Sequence, residues 1–253
     1  MGVAAGEGVD ERVEQVSNEV ARRPVYRGAL IVGLLALLGF LSVGLLVASG
    51  ISTSLDDAIL DGLHRSATPT VITAALLVSM LGSEAVFVLL PLSAIVLWFR
   101  RLRWQALEVV VATIGAQALN DVLKLFFHRP RPSGLVVASS LPGQAYSFPS
   151  GHAMVSIAFY GVLAYIGWRL LHGRARGAWI AVMVGVVLLI GVARLILEAH
   201  YPTDVLASWA AGLVWVDATL VGIGYAHQRR SERGRAAVPE PVRAVDEGAK
   251  AAP

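Results

Sequence analysis

The sequence predicts an all-α, polytopic membrane protein of six transmembrane helices with short interfacial helices beside them. Three observations carry this. Apolar residues make up 56% of the 253 residues and charged residues only 15%. The apolar residues gather in blocks of about twenty, the length that crosses the ~30 Å hydrocarbon layer. The basic residues sit mostly in short segments between those blocks, so the formal charge of +3 reads as membrane orientation and not as a nucleic-acid surface. Cysteine is absent, which excludes a disulfide framework, a thiolate metal site and a thiol nucleophile.

Residues 1 to 27 are polar and mixed in charge and read as a cytoplasmic N-terminal tail. The first apolar block, 28 to 49, carries no charge; it is too long and too late for a cleaved signal, and no small-x-small site follows it, so a retained helix is expected. Residues 53 to 67 alternate as an amphipathic helix, with Leu55, Ile59 and Leu63 on one stripe, and are expected along the membrane surface. Residues 69 to 81 form a short apolar run that Gly82 interrupts, and 84 to 99 supply a second crossing. The alternative is one tilted helix from 69 to 99 kinked at Pro91. Arg100, Arg101 and Arg103 close it. The remaining crossings are 105 to 127, 151 to 171, 178 to 197 and 204 to 226, with Gly173 to Gly177 as a basic turn. Together these give a membrane domain over 28 to 226. After His227 the chain is charged, Ala-rich and interrupted by proline, and a disordered cytoplasmic tail, 227 to 253, is expected. Trp98, Trp104 and Trp168 read as interface anchors. Asp217, near the middle of the last block, reads as a packing contact between helices or a polar path. The glycines of the first block have no Gly-x3-Gly spacing that would mark a dimer face, and oligomeric state is left open.

With both termini in the cytoplasm, the positive-inside bias is satisfied by Arg12, Arg22, Arg23 and Arg27, by Arg100 to Arg103, by Arg169, Arg174 and Arg176, and by the tail from Arg229. Apart from the lone Arg65, it fails at Lys124, Arg129 and Arg131, which then lie outside. Basic residues in a disfavoured place call for an anion, and the three charged patches of the chain meet at this extracytoplasmic face.

In the first patch, Pro130 stops the helix that Lys124 ends, so Arg131 approaches from a different backbone direction; two such cations can hold different oxygens of one phosphate, or snorkel to headgroups. In the second, Phe148-Pro149-Ser150-Gly151-His152 precedes an apolar block. Ser150 and Gly151 then begin a helix whose free N–H groups form an anion site, or Ser150 is a plain N-cap. His152, in the first turn, can donate a proton to a leaving oxygen. In the third, Arg194 is followed by His200 and Asp204 across a turn at Pro202. A carboxylate four residues from a histidine can accept its Nδ1 proton and leave Nε2 free to attack phosphorus; Asp204 can equally cap the sixth helix. His152, His200 and Asp204 are also possible metal ligands, but Lys124, Arg131 and Arg194 around them would repel a metal ion and suit a phosphate dianion. Asn120 and Asp121, about one turn before Lys124, can position that lysine or bond locally at the helix end.

These elements, Lys124-x6-Arg131-Pro132, Pro149-Ser150-Gly151-His152 and Arg194-x5-His200-x3-Asp204, closely resemble the signature of the type 2 phosphatidic acid phosphatase superfamily, its membrane lipid phosphatase and undecaprenyl diphosphate phosphatase-like branch. One residue departs: Ala193 stands where that signature often has serine, which touches substrate contacts and no catalytic group. The resemblance implies a six-helix lipid phosphatase over about 28 to 226 in the plasma membrane, independent of metals and cofactors. It implies His200 as the nucleophile that becomes phosphohistidine, Asp204 as its orienting partner and His152 as proton donor. Lys124, Arg131, Ser150, Gly151 and Arg194 would hold the phosphate. Substrates in such relatives include phosphatidic acid, phosphatidylglycerol phosphate and undecaprenyl diphosphate; the soluble vanadium haloperoxidases are also related, but six apolar blocks do not suit them. The competing class is a non-catalytic lipid-phosphate binding protein or transporter, which would need the cations but not an oriented imidazole.

Overall fold

In the computed structural model, residues 25 to 132 and 146 to 236 are described; most of the predicted N- and C-terminal tails, and the middle of the loop between Pro132 and Pro149, lie outside the described residues. The described chain is helical: α1 Val25–Ala48, α2 Thr53–Ser66, α3 Pro69–Met80, α4 Glu84–Phe99, α5 Arg103–Phe127, α6 Gly151–Leu170, α7 Gly173–Ile196 and α8 Pro202–Ala236. Six segments are long and apolar enough to cross a membrane, with α3 and α4 together making the second. The chain is an all-α polytopic membrane protein.

Helix α6 is the centre of the bundle, packed against α5, α7 and α8; α1 lies along α8, α4 along α5 and α3 along α7. Its buried Met154, Ala158, Phe159 and Val162 meet Val109, Ala112 and Ala116 of α5 and Ile190 of α7. Apolar side chains on the outside are as prominent as those within: Leu30, Leu34 and Leu45 of α1, Phe87 and Phe99 of α4, and Val122 and Phe126 of α5 are all exposed. Such a surface suits lipid, which satisfies apolar side chains but no backbone group, so every crossing must be helical. Association between helices then depends on close packing. A Cβ on Gly115 would overlap the Trp215 indole, whose Nε1 donates to the Ala112 carbonyl oxygen at 3.1 Å, so this glycine lets α8 lean onto α5.

The second crossing is broken at Leu81–Ser83, while Pro91 sits inside α4 without ending it. Two contacts explain the place of the break. The Tyr160 hydroxyl donates to the Leu81 carbonyl oxygen at 2.8 Å, satisfying a group the break frees. A Cβ on Gly82 would stand 2.9 Å from Ile190 Cγ2 and 3.3 Å from the His152 carbonyl oxygen. Gly82→Val is therefore expected to cost about 1–3 kcal/mol of stability by overpacking, seen as a lowered unfolding temperature in detergent; an unchanged temperature would mean that the break has room to move.

Two boundaries and the buried face of α2 differ from expectation. Helix α7 starts at Gly173, within the predicted basic turn, and Arg176 Nε donates back to the Leu171 carbonyl oxygen at 2.8 Å, capping the helix before it. Helix α8 runs from Pro202 to Ala236, ten residues past the predicted end. Hydropathy marks the stretch that suits lipid, not the stretch that is helical, and no proline follows Pro202 before Pro239. On α2 the stripe of Leu55 and Ile59 faces outward, while Asp56 and Leu60 on the other side are buried. Asp217 lies against Gly33, where a Cβ would collide with its carboxylate, so this acid belongs to the α1–α8 contact.

Candidate active site

The crossings alternate in direction, so α1 ends, α3 begins, α5 ends, α6 begins, α7 ends and α8 begins at one end of the bundle. All three charged patches meet there. Behind them Phe148, fully buried, packs on Phe127 of α5 and Phe40 of α1 with ring centroids 4.4 and 6.2 Å away, which fixes the entry to α6.

His200, 1% exposed, lies on the turn between α7 and α8. Its Nδ1 is 2.8 Å from the Ser147 carbonyl oxygen. A carbonyl can only accept, so the proton sits on Nδ1 and Nε2 keeps its lone pair. Nε2 faces Arg131 Nη1 at 3.5 Å, and the same Nη1 donates to the Ala199 carbonyl oxygen at 2.8 Å. Burial holds His200 well below its ordinary pKa of 6.5, and the positive charges of Arg194, Arg131 and Lys124 push it the same way. The imidazole is thus neutral, with its lone pair directed at the cations.

Asp204 does not take the Nδ1 proton, as the four-residue spacing had suggested. Its Oδ1 accepts from Arg129 Nη1 at 2.7 Å and its Oδ2 from the Tyr201 N–H at 2.9 Å; Oδ2 stands 3.7 Å from His200 Nδ1. Prior claims on both oxygens leave the Ser147 carbonyl to fix the tautomer. The contact to Tyr201 is the returning half of a capping box, since α8 begins at Pro202 and Asp204 is its third residue.

Lys124 and Arg194 are buried in the last turns of α5 and α7. Both cations and Arg131 lie within electrostatic reach of His152 and His200. Arg194 Nη1 donates to Ser79 Oγ at 2.7 Å, while its Nε is buried with no partner. Ser150 stands at the N-cap of α6 but makes no capping hydrogen bond, and its hydroxyl too is buried and unpartnered. Buried polar atoms left unsatisfied are rare and point to a ligand or water. Gly151 opens α6, and His152 follows in the same first turn, whose N–H groups have no partner within the helix. Three cations, two unpartnered donors and a helix N-terminus around a neutral imidazole have the charge and the donors that a phosphate dianion requires.

Asn120, expected to support Lys124 or to bond locally at the helix end, does neither: its Nδ2 donates to the Pro149 carbonyl oxygen at 3.1 Å and so ties α5 to the segment before α6. Asp121 accepts from Gln117 Nε2 at 2.9 Å on its own helix. Three contributors were missed: Ser147, Arg129 as the partner of Asp204, and Asp56, which also binds Arg129. Neither Asp56 nor Ser147 was readable as a pattern: opposite the apolar stripe of α2, Asp56 reads as a water-facing acid, and the Ser147 carbonyl is a backbone group without sequence signature. Among the described residues no three His, Asp or Glu side chains gather as a metal-ligating cluster.

A model of the PAP2 superfamily matches residues 105–227. The chain is 33% identical to phosphatidylglycerophosphatase B of Bacillus subtilis over 131 residues, covering 50% of this chain and 63% of that protein. It is 31% identical to undecaprenyl-diphosphatase of Sulfolobus acidocaldarius over 137 residues, 53% of this chain and 62% of that one. Against decaprenylphosphoryl-5-phosphoribose phosphatase of Mycobacterium tuberculosis it is 32% identical over 148 residues, 58% and 75% of the two chains. The first two matches thus span just under two thirds of the relatives' length. Among solved structures, the transmembrane PAP2-type phosphatidylglycerolphosphate phosphatase of Bacillus subtilis superposes with a TM-score of 0.66 at 24% identity, over 79% of this chain and 96% of that one.

Proposed function

The chain belongs to the PAP2 superfamily, and from that premise we propose that it is an integral membrane lipid phosphatase, independent of metals, that hydrolyses a lipid phosphomonoester or diphosphate through a phosphohistidine. The observation that carries the reading is the neutral His200, its Nδ1 proton held by Ser147 and its Nε2 turned to Arg131. Binding alone requires the cations; an imidazole in one tautomer is what nucleophilic attack requires.

Lys124, Arg131, Arg194, Ser150 and the Gly151 N–H hold the phosphate oxygens. His200 Nε2 attacks phosphorus as the P–O bond to the leaving group breaks, and His152 gives that oxygen a proton. Asp204 steadies the positive charge that His200 acquires. Water, deprotonated by His152, then attacks the phosphohistidine, which releases inorganic phosphate and restores both histidines. The arginines and lysine take up charge developing on the equatorial oxygens. The positive-inside distribution supports an orientation with both termini in the cytoplasm and this site at the extracytoplasmic face of the plasma membrane. Phosphatidic acid, phosphatidylglycerol phosphate and undecaprenyl diphosphate are the substrates to compare: the last two are those for which two of the relatives above are named, and the first is implied by the family resemblance. Phosphate release from each in detergent with EDTA tests the proposal: release by the wild type is expected, and absence of release from all three in folded protein would defeat it.

The same reading fixes a pH dependence. A histidine whose pKa is lowered stays neutral as the pH falls through the ordinary value near 6.5, and it protonates only well below. Because the substrate's own second ionisation lies near 6, the rate profile would mix the two. The ring ¹⁵N resonances of His200 are expected to remain those of a neutral, Nδ1-protonated imidazole at pH 5.5. A titration midpoint at 6 or above would contradict the electrostatics described.

A further inference from the structure

We propose that Asp56, on the interfacial helix α2, is a positioning residue for the nucleophile: through Arg129 it fixes Asp204 and the His200 turn, which makes α2 a working part of the active site. The inference rests on the phosphatase reading for its kinetic consequence, and on the geometry alone for the rest.

Asp56 is 1% exposed on a helix whose neighbouring acids, Asp57 and Asp61, face outward. A carboxylate withdrawn from water needs a full set of donors. Asp56 has one: Oδ1 accepts from the Thr203 N–H at 3.1 Å, and Oδ2 accepts from the Thr203 hydroxyl at 2.6 Å and from Arg129 Nη2 at 2.8 Å. Arg129 Nη1 bonds Thr203 Oγ1 at 2.8 Å and Asp204 Oδ1 at 2.7 Å. Burial alone would lower the Arg129 pKa, but the carboxylates of Asp204 and Asp56 outweigh it and the net movement is upward. Its guanidinium also lies over the Tyr201 ring, 4.0 Å from the centroid. Arg129 is therefore committed to two buried carboxylates and one ring, unlike the cations that face His200.

The backbone of Arg129 reaches the nucleophile by a second route. Its carbonyl oxygen accepts from the Ser147 N–H at 2.8 Å, and the Ser147 carbonyl in turn accepts from His200 Nδ1. One residue thus supports the imidazole through Asp204 on one side and Ser147 on the other. Asp56 is what holds that residue from outside the signature elements. Without its charge, Arg129 loses one of two ionic anchors, and an amide in its place offers one oxygen to the three donors that Asp56 now accepts from. The turn carrying His200 and Asp204 then loosens while every phosphate-facing cation remains.

A mere staple would lower stability and leave the chemical step alone; a positioning residue lowers turnover in folded protein. In the full-length enzyme in detergent, Asp56→Asn is expected to reduce kcat ~10–100-fold with KM within about threefold. In an Asp204→Asn background the same change is expected to cost several-fold less than in the wild type, because the part of its effect that runs through Asp204 is already lost. Equal losses in the two backgrounds, or an unchanged kcat, would overturn the inference. A second readout needs no substrate: in ¹⁵N-histidine-labelled protein, Asp56→Asn is expected to shift the His200 ring resonances toward a mixture of tautomers, and unshifted resonances would also overturn it. If the wild type releases phosphate from none of the three lipids, the phosphatase reading fails and the ring resonances alone decide this one. Should Asp56→Asn not fold, Thr203→Val, which removes only the hydroxyl shared by Asp56 and Arg129, is judged by the same criteria at smaller amplitude.

Discussion

Replacing His200 with alanine is expected to lower turnover on the order of 10⁵-fold, the scale seen when an acting nucleophile is removed, while lipid binding falls little. The two effects separate because different atoms produce them. Lys124, Arg131 and Arg194 keep their charges in the variant, and the buried Ser150 hydroxyl and the α6 N-terminus keep their directions, so the phosphate retains its cradle. What disappears is the lone pair on Nε2. The substitution also strips the Ser147 carbonyl of its partner, an orphaning that costs about 1–3 kcal/mol in a buried site. His200→Asn controls for this: its amide can still donate to Ser147 but presents no nucleophile. Equal inactivity in the two variants, with nearly normal unfolding of the asparagine protein, is the expected pattern. Lipid labelled in its phosphate should leave label on the wild type that survives alkali and is lost in acid, as a phosphoramidate bond is, and on neither variant. Substantial turnover in both would remove His200 from the mechanism.

The membrane fold was legible because lipid imposes a rule on composition: each crossing had to appear as a long, mostly apolar block, and all six did. Where the structure differs, the determinant is not composition. The break at Gly82 depends on the close passage of Ile190 and His152, both at least seventy residues away in sequence. The far end of α8 is set by the absence of a helix breaker among polar residues, which a hydropathy window cannot distinguish from a loop. At the site, the spacing of Lys124, Arg131, His152, Arg194, His200 and Asp204 pointed to one shared anion site, because each residue type is costly in a membrane without a task. The spacing misassigned the partner of Nδ1. A local carboxylate is visible at i+4, whereas the Ser147 carbonyl reaches His200 across 53 residues and carries no side-chain identity. Asp56 was hidden for a related reason: an acid on an amphipathic helix ordinarily faces water, and only the fold brings it to Arg129.

His152→Ala is expected to show a loss that depends on what leaves. In the mechanism above His152 supplies the proton that the departing oxygen needs, a contribution worth about 10²–10⁴-fold where the leaving group is a poor one. An alcohol such as diacylglycerol or a polyprenol leaves as a strongly basic alkoxide unless it is protonated, so a monoester substrate should suffer the full loss. A diphosphate departs as a phosphate whose relevant ionisation is near 6, and it needs little help. The same holds for an aryl phosphate such as p-nitrophenyl phosphate, which reports the step without a lipid. Hydrolysis of the phosphohistidine, where His152 acts as base, is common to all three, so any loss shared by every substrate measures that second step and the excess measures the first. His152 stands in the first turn of α6 beside the Gly151 N–H, and Lys124, Arg131 and Arg194 reach it, so the alanine variant keeps the phosphate-holding charges. The ratio of losses between phosphatidylglycerol phosphate and undecaprenyl diphosphate, measured at saturating substrate with burst kinetics, is expected to exceed about tenfold. A ratio near one, with the phosphoenzyme forming at the wild-type rate from both, would take the proton-donor role from His152 and leave it only the activation of water.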